Sequence, residues 1–150
     1  MVLYEVMTLE DYEEVHALWL QTPGMGLNAF DDSKEGLGRY ILRNPSTSFV
    51  ARIDKSMVGC ILCGHDGRRG YIYHLAVAQT CRKQGIAREL VRHSLEALHQ
   101  EGIGKVAFVV FGDNEGGNAF WTHLGFMERP DLVYRNKVIA DVEMGFIKIT

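Results

Sequence analysis

At 150 residues with a formal net charge of −3, the chain has the size of a single domain and lacks the basic footprint expected of a nucleic-acid binder. Hydrophobic residues make up 47% and charged residues 23%, an ordinary balance for a globular protein that buries a core without disulfide staples. Its three cysteines, an odd and sparse set, argue against a disulfide framework and for a reducing, cytoplasmic setting, and no window approaches the roughly 18 apolar residues of a membrane span.

The start, Met1-Val2-Leu3-Tyr4-Glu5, has neither the basic region nor the apolar run of a secretory signal. Residues 2 to 7 alternate loosely and read as a first strand. Thr8 and Asp11 have capping-box spacing, and Leu9, Tyr12, Val15, His16 and Trp19 then recur at helical intervals. Pro23 with Gly24 and Gly26 ends that helix. Gln21 to Asp31 forms a Gly-rich loop carrying Met25, Leu27 and Phe30, which loops normally avoid. It reads either as a substrate lip or as a hydrophobic staple for the next helix. Asp32 and Glu35 open a second helix with Leu37, Tyr40 and Ile41 on one face, and Pro45 stops it. Asp31, Asp32 and Glu35 read either as recruiters of a cationic amine or as a solvated helix start.

Residues 47 to 53 and 57 to 64 read as strands joined at Asp54-Lys55-Ser56. Cys60 and Cys63 have metal or redox spacing, but no second Cys/His pair sits at finger spacing. On a strand, residues three apart face opposite sides, which favours small apolar filler. His65 to Gly70 is a polar turn. Tyr71 to Val77 is a strand, Arg82 to Ala87 a cationic turn, and a long helix runs to about Glu101. That helix points Ile86, Leu90, Val91, Ser94, Leu95 and Leu98 at the core, and Gly102 stops it. Free N–H groups at its start suit a pyrophosphate, with Gly85 letting the ligand approach the backbone. Lys105 to Phe111 is a near-continuous apolar run, the pattern of a strand covered on both faces. A short helix spans about Gly116 to Leu124, with Asn114 at its N-cap. Residues 132 to 139 and 142 to 149 both have strand composition. The alternation of Ile139, Val142, Met144, Phe146 and Ile149 predicts that 138 to 150 is ordered, paired with its own sheet or with a second copy, which favours a homodimer.

Arg82-x-x-Gly85-x-Ala87 after a Leu-Ala-Val strand end resembles the acetyl-CoA signature of the GNAT N-acetyltransferase superfamily. Asn114-x-x-Gly117-x-x-Phe120-Trp121-x-x-x-Gly125-Phe126 is similar to that family's later motif. Both lie on the expected elements, and the resemblance covers about residues 1 to 137. It implies one α/β (α+β) domain over 1–150: a mixed, mostly antiparallel central sheet with helices on both faces and a V-shaped gap between two parallel strands. It implies acetyl-CoA as cosubstrate, no metal, and an amine acceptor, either a small molecule or a peptide or protein amine. Leu75 and Val77 would offer main-chain groups to pantetheine. Arg82, Lys83, Gln84, Gly85, Ile86 and Ala87 would hold the pyrophosphate, with Asn114 and Trp121 beside the cofactor.

Acetyl transfer also needs a proton acceptor for the amine. The resemblance points to Tyr73 and Tyr71, but tyrosine, with an unperturbed pKa of about 10, is a poor base at neutral pH. His74 is the better titrating group, yet period-two alternation puts it on the face opposite Tyr73. Where the family often keeps a tyrosine that protonates the leaving thiolate, this chain has Trp121, whose indole N–H is only a hydrogen-bond donor. The sequence thus favours an N-acetyltransferase, with a GNAT-like acetyl-CoA sensor as the alternative. It lacks the Gly-Lys-Ser/Thr end of a phosphate-hydrolase loop.

Overall fold

In the computed structural model, which describes residues 1–150, the chain runs β1 (Leu3–Val6), α1 (Tyr12–Leu20), β2 (Gly26–Leu27), α2 (Lys34–Arg43), β3 (Phe49–Ile53), β4 (Ser56–His65), β5 (Gly70–Val77), α3 (Ile86–Gln100), β6 (Val106–Ala107), α4 (Glu115–His123) and β7 (Ile147–Lys148). Local chemistry sets the boundaries. Asp11 Oδ2 accepts the Thr8 N–H ahead of α1, and Ser33 Oγ accepts the Gly36 N–H at the start of α2. Asp54 and Lys55, at φ of 48° and 71°, make the two-residue turn whose twist matches the strands it joins.

The main sheet has the order β1-β3-β4-β5-β6. Its neighbours are antiparallel except β5 and β6, which run parallel. One apolar cluster gathers Val15, Leu18 and Trp19 of α1 and Leu37 of α2 over Val50, Cys60, Leu62 and Ala76. A second gathers Ile86, Leu90, Val91 and Leu98 of α3 and Trp121 of α4 over Ala51, Ile61, Cys63 and Ile72. Helices therefore cover both faces. Cys60 and Cys63 belong to opposite clusters, and burial pushes each thiol up to about 12, so both act as neutral filler.

Three regions differ from the patterning. Of the apolar run 105 to 111, only Val106 and Ala107 form a strand, and Val109 and Phe111 are exposed. Phe108 turns into the aromatic cluster of α4, 4.2 Å from the Trp121 ring centroid, while Phe111 lies against Gly26. These contacts draw the chain away from β5. Residues 132 to 139 form no strand and expose Leu132, Val133 and Ile139, because strand composition without a partner ladder does not make a strand. Strand structure appears instead at Ile147–Lys148, which pairs with Leu27 and Gly26. Ile149 packs on the first cluster and exchanges main-chain hydrogen bonds with Gly24 and Met25. The loop after α1 is therefore neither a free lip nor a staple: Met25 and Leu27 are core residues under a small second sheet.

Candidate active site

β5 is paired unequally on its two sides. Toward β4 it is paired from Gly70 to Val77, whereas toward β6 only Gly70 and Tyr71 pair. Beyond Tyr71 no pairing with β6 continues, which leaves a gap in the ladder beside residues 73–77. Gly70 sits at the hinge of this gap, where a Cβ would lie 2.7 Å from Leu98 Cδ1 and 3.2 Å from Val106 Cγ2. Buried backbone groups without partners are costly, so an open sheet edge beside a core is a place for an extended ligand.

The β4–β5 register shifts where Leu62 faces His74 and Cys63 faces Ile72, which leaves Tyr73 unopposed. This bulge breaks the period-two alternation and corrects the reading that His74 and Tyr73 point to opposite faces. Tyr73 packs edge-on to Tyr40 of α2 at 5.5 Å and beside Tyr71 at 4.7 Å. The His74 ring meets Trp19 of α1 edge-on at 4.7 Å and lies 6.5 Å from the Tyr73 ring. All three side chains thus gather on the α1/α2 side. Burial raises the Tyr73 hydroxyl above the usual phenol range, and Asp31 and Tyr134 push it further the same way. Burial likewise raises Tyr71, with help from Tyr134. Neither tyrosine has the properties of a base at neutral pH.

His74 has a partner that spacing did not reveal. Its Nε2 lies 2.8 Å from Asp32 Oδ1, across 42 residues of sequence, and both residues are buried. Asp32 Oδ2 accepts the Asn28 N–H at 2.9 Å, and its carbonyl accepts the Tyr12 hydroxyl at 2.8 Å. Asp32 is therefore not part of a solvated helix start, and Ser33 supplies the cap instead.

The loop before α3 presents a different surface. Lys83 and Gly85 take positive φ, 65° and 77°, and Gly85 is the N-cap of α3. The N–H groups of residues 83–88 meet no acceptor within the chain, and a Cβ on Gly85 would touch nothing. The glycine is thus required by its left-handed backbone, and the surface above it is open. Arg82, Lys83 and Gln84 are exposed beside it, Ala87 is half-buried, and Ile86 is buried and anchors the turn. Leu75 and Val77 join Ile86 and Trp121 in the α3/α4 cluster. Trp121 is 9% exposed and packed among Phe108, Phe120 and Phe126. Asn114 Oδ1 accepts the Gly117 N–H and caps α4, with its amide against Gly24.

Residues 10–126 match the Acetyltransferase (GNAT) family. The chain belongs to the GNAT acetyltransferases. It is 30% identical over 135 residues to the acetyltransferase SG1711 of Sodalis glossinidius (strain morsitans), a match covering 89% of this chain and 94% of the relative. Among solved structures, this GNAT fold is similar to AAC(6')-Iy in complex with a bisubstrate analogue, at TM-score 0.74 and 19% identity, covering 92% of this chain and 99% of the other. It is also similar to a chain of the NatC complex bound to Gag peptide and CoA, at TM-score 0.74 and 21% identity, covering 85% and 86%. The mixed sheet with one splayed parallel pair is thus the GNAT fold. No helix of this GNAT chain is long and apolar enough to cross a membrane, and no three His, Cys, Asp or Glu side chains converge as metal ligands.

Proposed function

We propose that this single domain, residues 1–150, transfers the acetyl group of acetyl-CoA to a primary amine by direct attack. The observation that carries the reading is the gap beside the unpaired edge of β5, leading to a turn whose N–H groups at 83–88 are free. Pantetheine fits an open sheet edge, and pyrophosphate fits a helix start with Arg82 and Lys83 beside it. Gln84, Gly85, Ile86 and Ala87 complete the turn. Leu75 and Val77 contribute main-chain groups, while Asn114 and Trp121 hold the far wall through packing and capping. Relatives named as acetyltransferases and neighbours in complex with CoA support the same cosubstrate.

In the reaction the amine nitrogen attacks the thioester carbonyl carbon, the carbon–sulfur bond breaks, and an amide and coenzyme A thiolate result. The amine proton passes to His74, directly or through one water that Tyr73 orients. The thiolate leaves without a tyrosine acid, since Trp121 is buried in an aromatic cluster and cannot protonate it. The acceptor approaches over Tyr71 and Tyr73, on the side that also holds Asp31. Aminoglycoside-type and peptide-bound neighbours both fit an amine acceptor.

Arg82→Glu is expected to weaken acetyl-CoA binding about ten-fold or more, close to 1.4 kcal/mol, in calorimetric titration. This substitution is a cleaner test than a bulky residue at Gly85, whose φ of 77° strains any side chain. Unchanged affinity would sink the assignment of the turn. Thiol release from acetyl-CoA across pooled amines separates the enzyme from a sensor. Binding without amine-dependent release favours the sensor. The exposed Val138, Ile139, Val142 and Phe146 support the homodimer expected from the alternation at 138–150, and a concentration-independent monomer in sedimentation removes it.

A further inference from the structure

The buried His74–Asp32 pair lies outside both signature motifs and needs an explanation. An ionised carboxylate away from water is costly unless its oxygens are hydrogen-bonded, and here each takes one donor. Oδ1 faces His74 Nε2 at 2.8 Å and Oδ2 accepts the Asn28 N–H at 2.9 Å. A carboxylate offers only acceptors when ionised, so Nε2 must carry a hydrogen. In neutral His74 the other nitrogen, Nδ1, is then the acceptor. Nδ1 has no partner within the chain. The only fully enclosed side-chain polar atoms without one are Trp19 Nε1 and Tyr40 Oη, so Nδ1 is not fully enclosed.

We infer that Asp32 is a positioning residue that holds His74 in the Nε2–H tautomer, leaving Nδ1 free to take the proton of the acceptor amine. This inference rests on His74 being the base proposed above. The titratable side chains facing His74 are Asp32 from the loop before α2 and Tyr73 on its own strand. Tyr12 and His16 of α1 lie one layer further out, Tyr12 on the Asp32 carbonyl and His16 against Trp19 at 6.3 Å. Across the ladder stands Leu62, which carries no charge. Asp32 is thus the one carboxylate bonded to the imidazole. It also ties the base to the loop 28–33, since Asn28 and Asp32 close that loop through side-chain and main-chain bonds.

The geometry makes Asp32→Asn a sharp test. The Asn28 N–H needs an acceptor, so the amide oxygen of the new side chain turns to it. The amide NH2 then faces Nε2 and forces Nε2 to accept, which moves the hydrogen to Nδ1 and blocks the base. Nitrogen-15 NMR of the imidazoles, with His74 assigned by its loss in His74→Gln, reads the tautomer directly. The wild type is expected to show Nε2–H and Asp32→Asn to show Nδ1–H. Both Asp32→Asn and His74→Gln should lower kcat/KM by about 10²-fold or more. The double variant should be no slower than His74→Gln alone, because the pair acts as a unit. A wild-type Nδ1–H tautomer overturns the inference without any variant. An Asp32→Asn protein of normal rate and tautomer, beside a slow His74→Gln, overturns it too. A His74→Gln enzyme of normal rate removes the base itself, and the positioning role with it. Loss of acetyl-CoA binding in Arg82→Glu affects none of these spectra, so failure of the cofactor site is read separately.

Discussion

The two sides of β5 show how one strand serves both structure and chemistry. On the β4 side it is paired along its length, with α3 packed tightly beneath. On the β6 side it is paired at two residues and then left open. The difference does not lie in β5, which runs unbroken from Gly70 to Val77. It lies in the residues after β6: Phe108 packs on Trp121 and Phe126, and Phe111 on Gly26 and Lys148, so this stretch does not continue the ladder along β5. The open edge of β5 is thus left by side chains that find partners elsewhere.

The comparison is tested hardest on the closed side. Leu90 is fully buried, and its Cδ1 lies against β4 at Gly59. Leu90→Ala should cost about 2–5 kcal/mol of stability in urea unfolding, with the site geometry intact in the fraction that remains folded. At the hinge, Gly70→Val would press on Leu98 and Val106 and should cost about 1–3 kcal/mol. Because it acts where the strands part, it should also alter acetyl-CoA affinity, which Leu90→Ala should not. Titration of both proteins under folding conditions separates the two.

On the open side, Asn114→Ala removes the cap of α4 and should cost about 1 kcal/mol by thermal unfolding. A cost near zero would mean that neither the cap nor the amide contact with Gly24 stabilises the fold. The smallest effect is expected at the far edge of the sheet. There Arg52 bonds Asp11 at 2.8 Å and Glu14 at 3.0 Å. The Arg52 guanidinium holds the Glu14 carboxyl below its usual range. A depressed carboxylate contributes stability that is whole above its unfolded pKa of about 4.3 and is lost as pH falls through the lower folded value. Arg52→Gln should therefore lower stability slightly near pH 7, where the exposed pair is screened, and flatten the acid limb so that the two proteins converge at low pH. An unaltered acid limb would show the ion pair to be idle.

Much of the fold was legible in the chain because it is written in local patterns. Helical spacing places Ile86, Leu90, Val91, Ser94, Leu95 and Leu98 inward, and all are buried except Leu95, which is half-buried. The Asp54–Lys55 turn and the glycine stop at Gly102 are equally local. The turn before α3 could be read because Arg82, Gly85 and Ala87 lie within six residues. The surroundings of His74 could not. Alternation assigned His74 and Tyr73 to opposite faces, and only the bulge at Tyr73, a property of strand pairing, brings them to one side. Asp32 looked like a helix start, and only the packing of the loop over α1 carries it to His74. The stretch 132–139 had the composition of a strand but no edge to join.

The sequence by itself determined the periodicities, the turns and the cationic helix start, because each depends on neighbours a few bonds away. The tertiary structure decided how far β5 stays paired with β6, the face of each β5 side chain and the partner of His74. Those depend on which distant surfaces win a given side chain, and residue spacing carries no record of that competition.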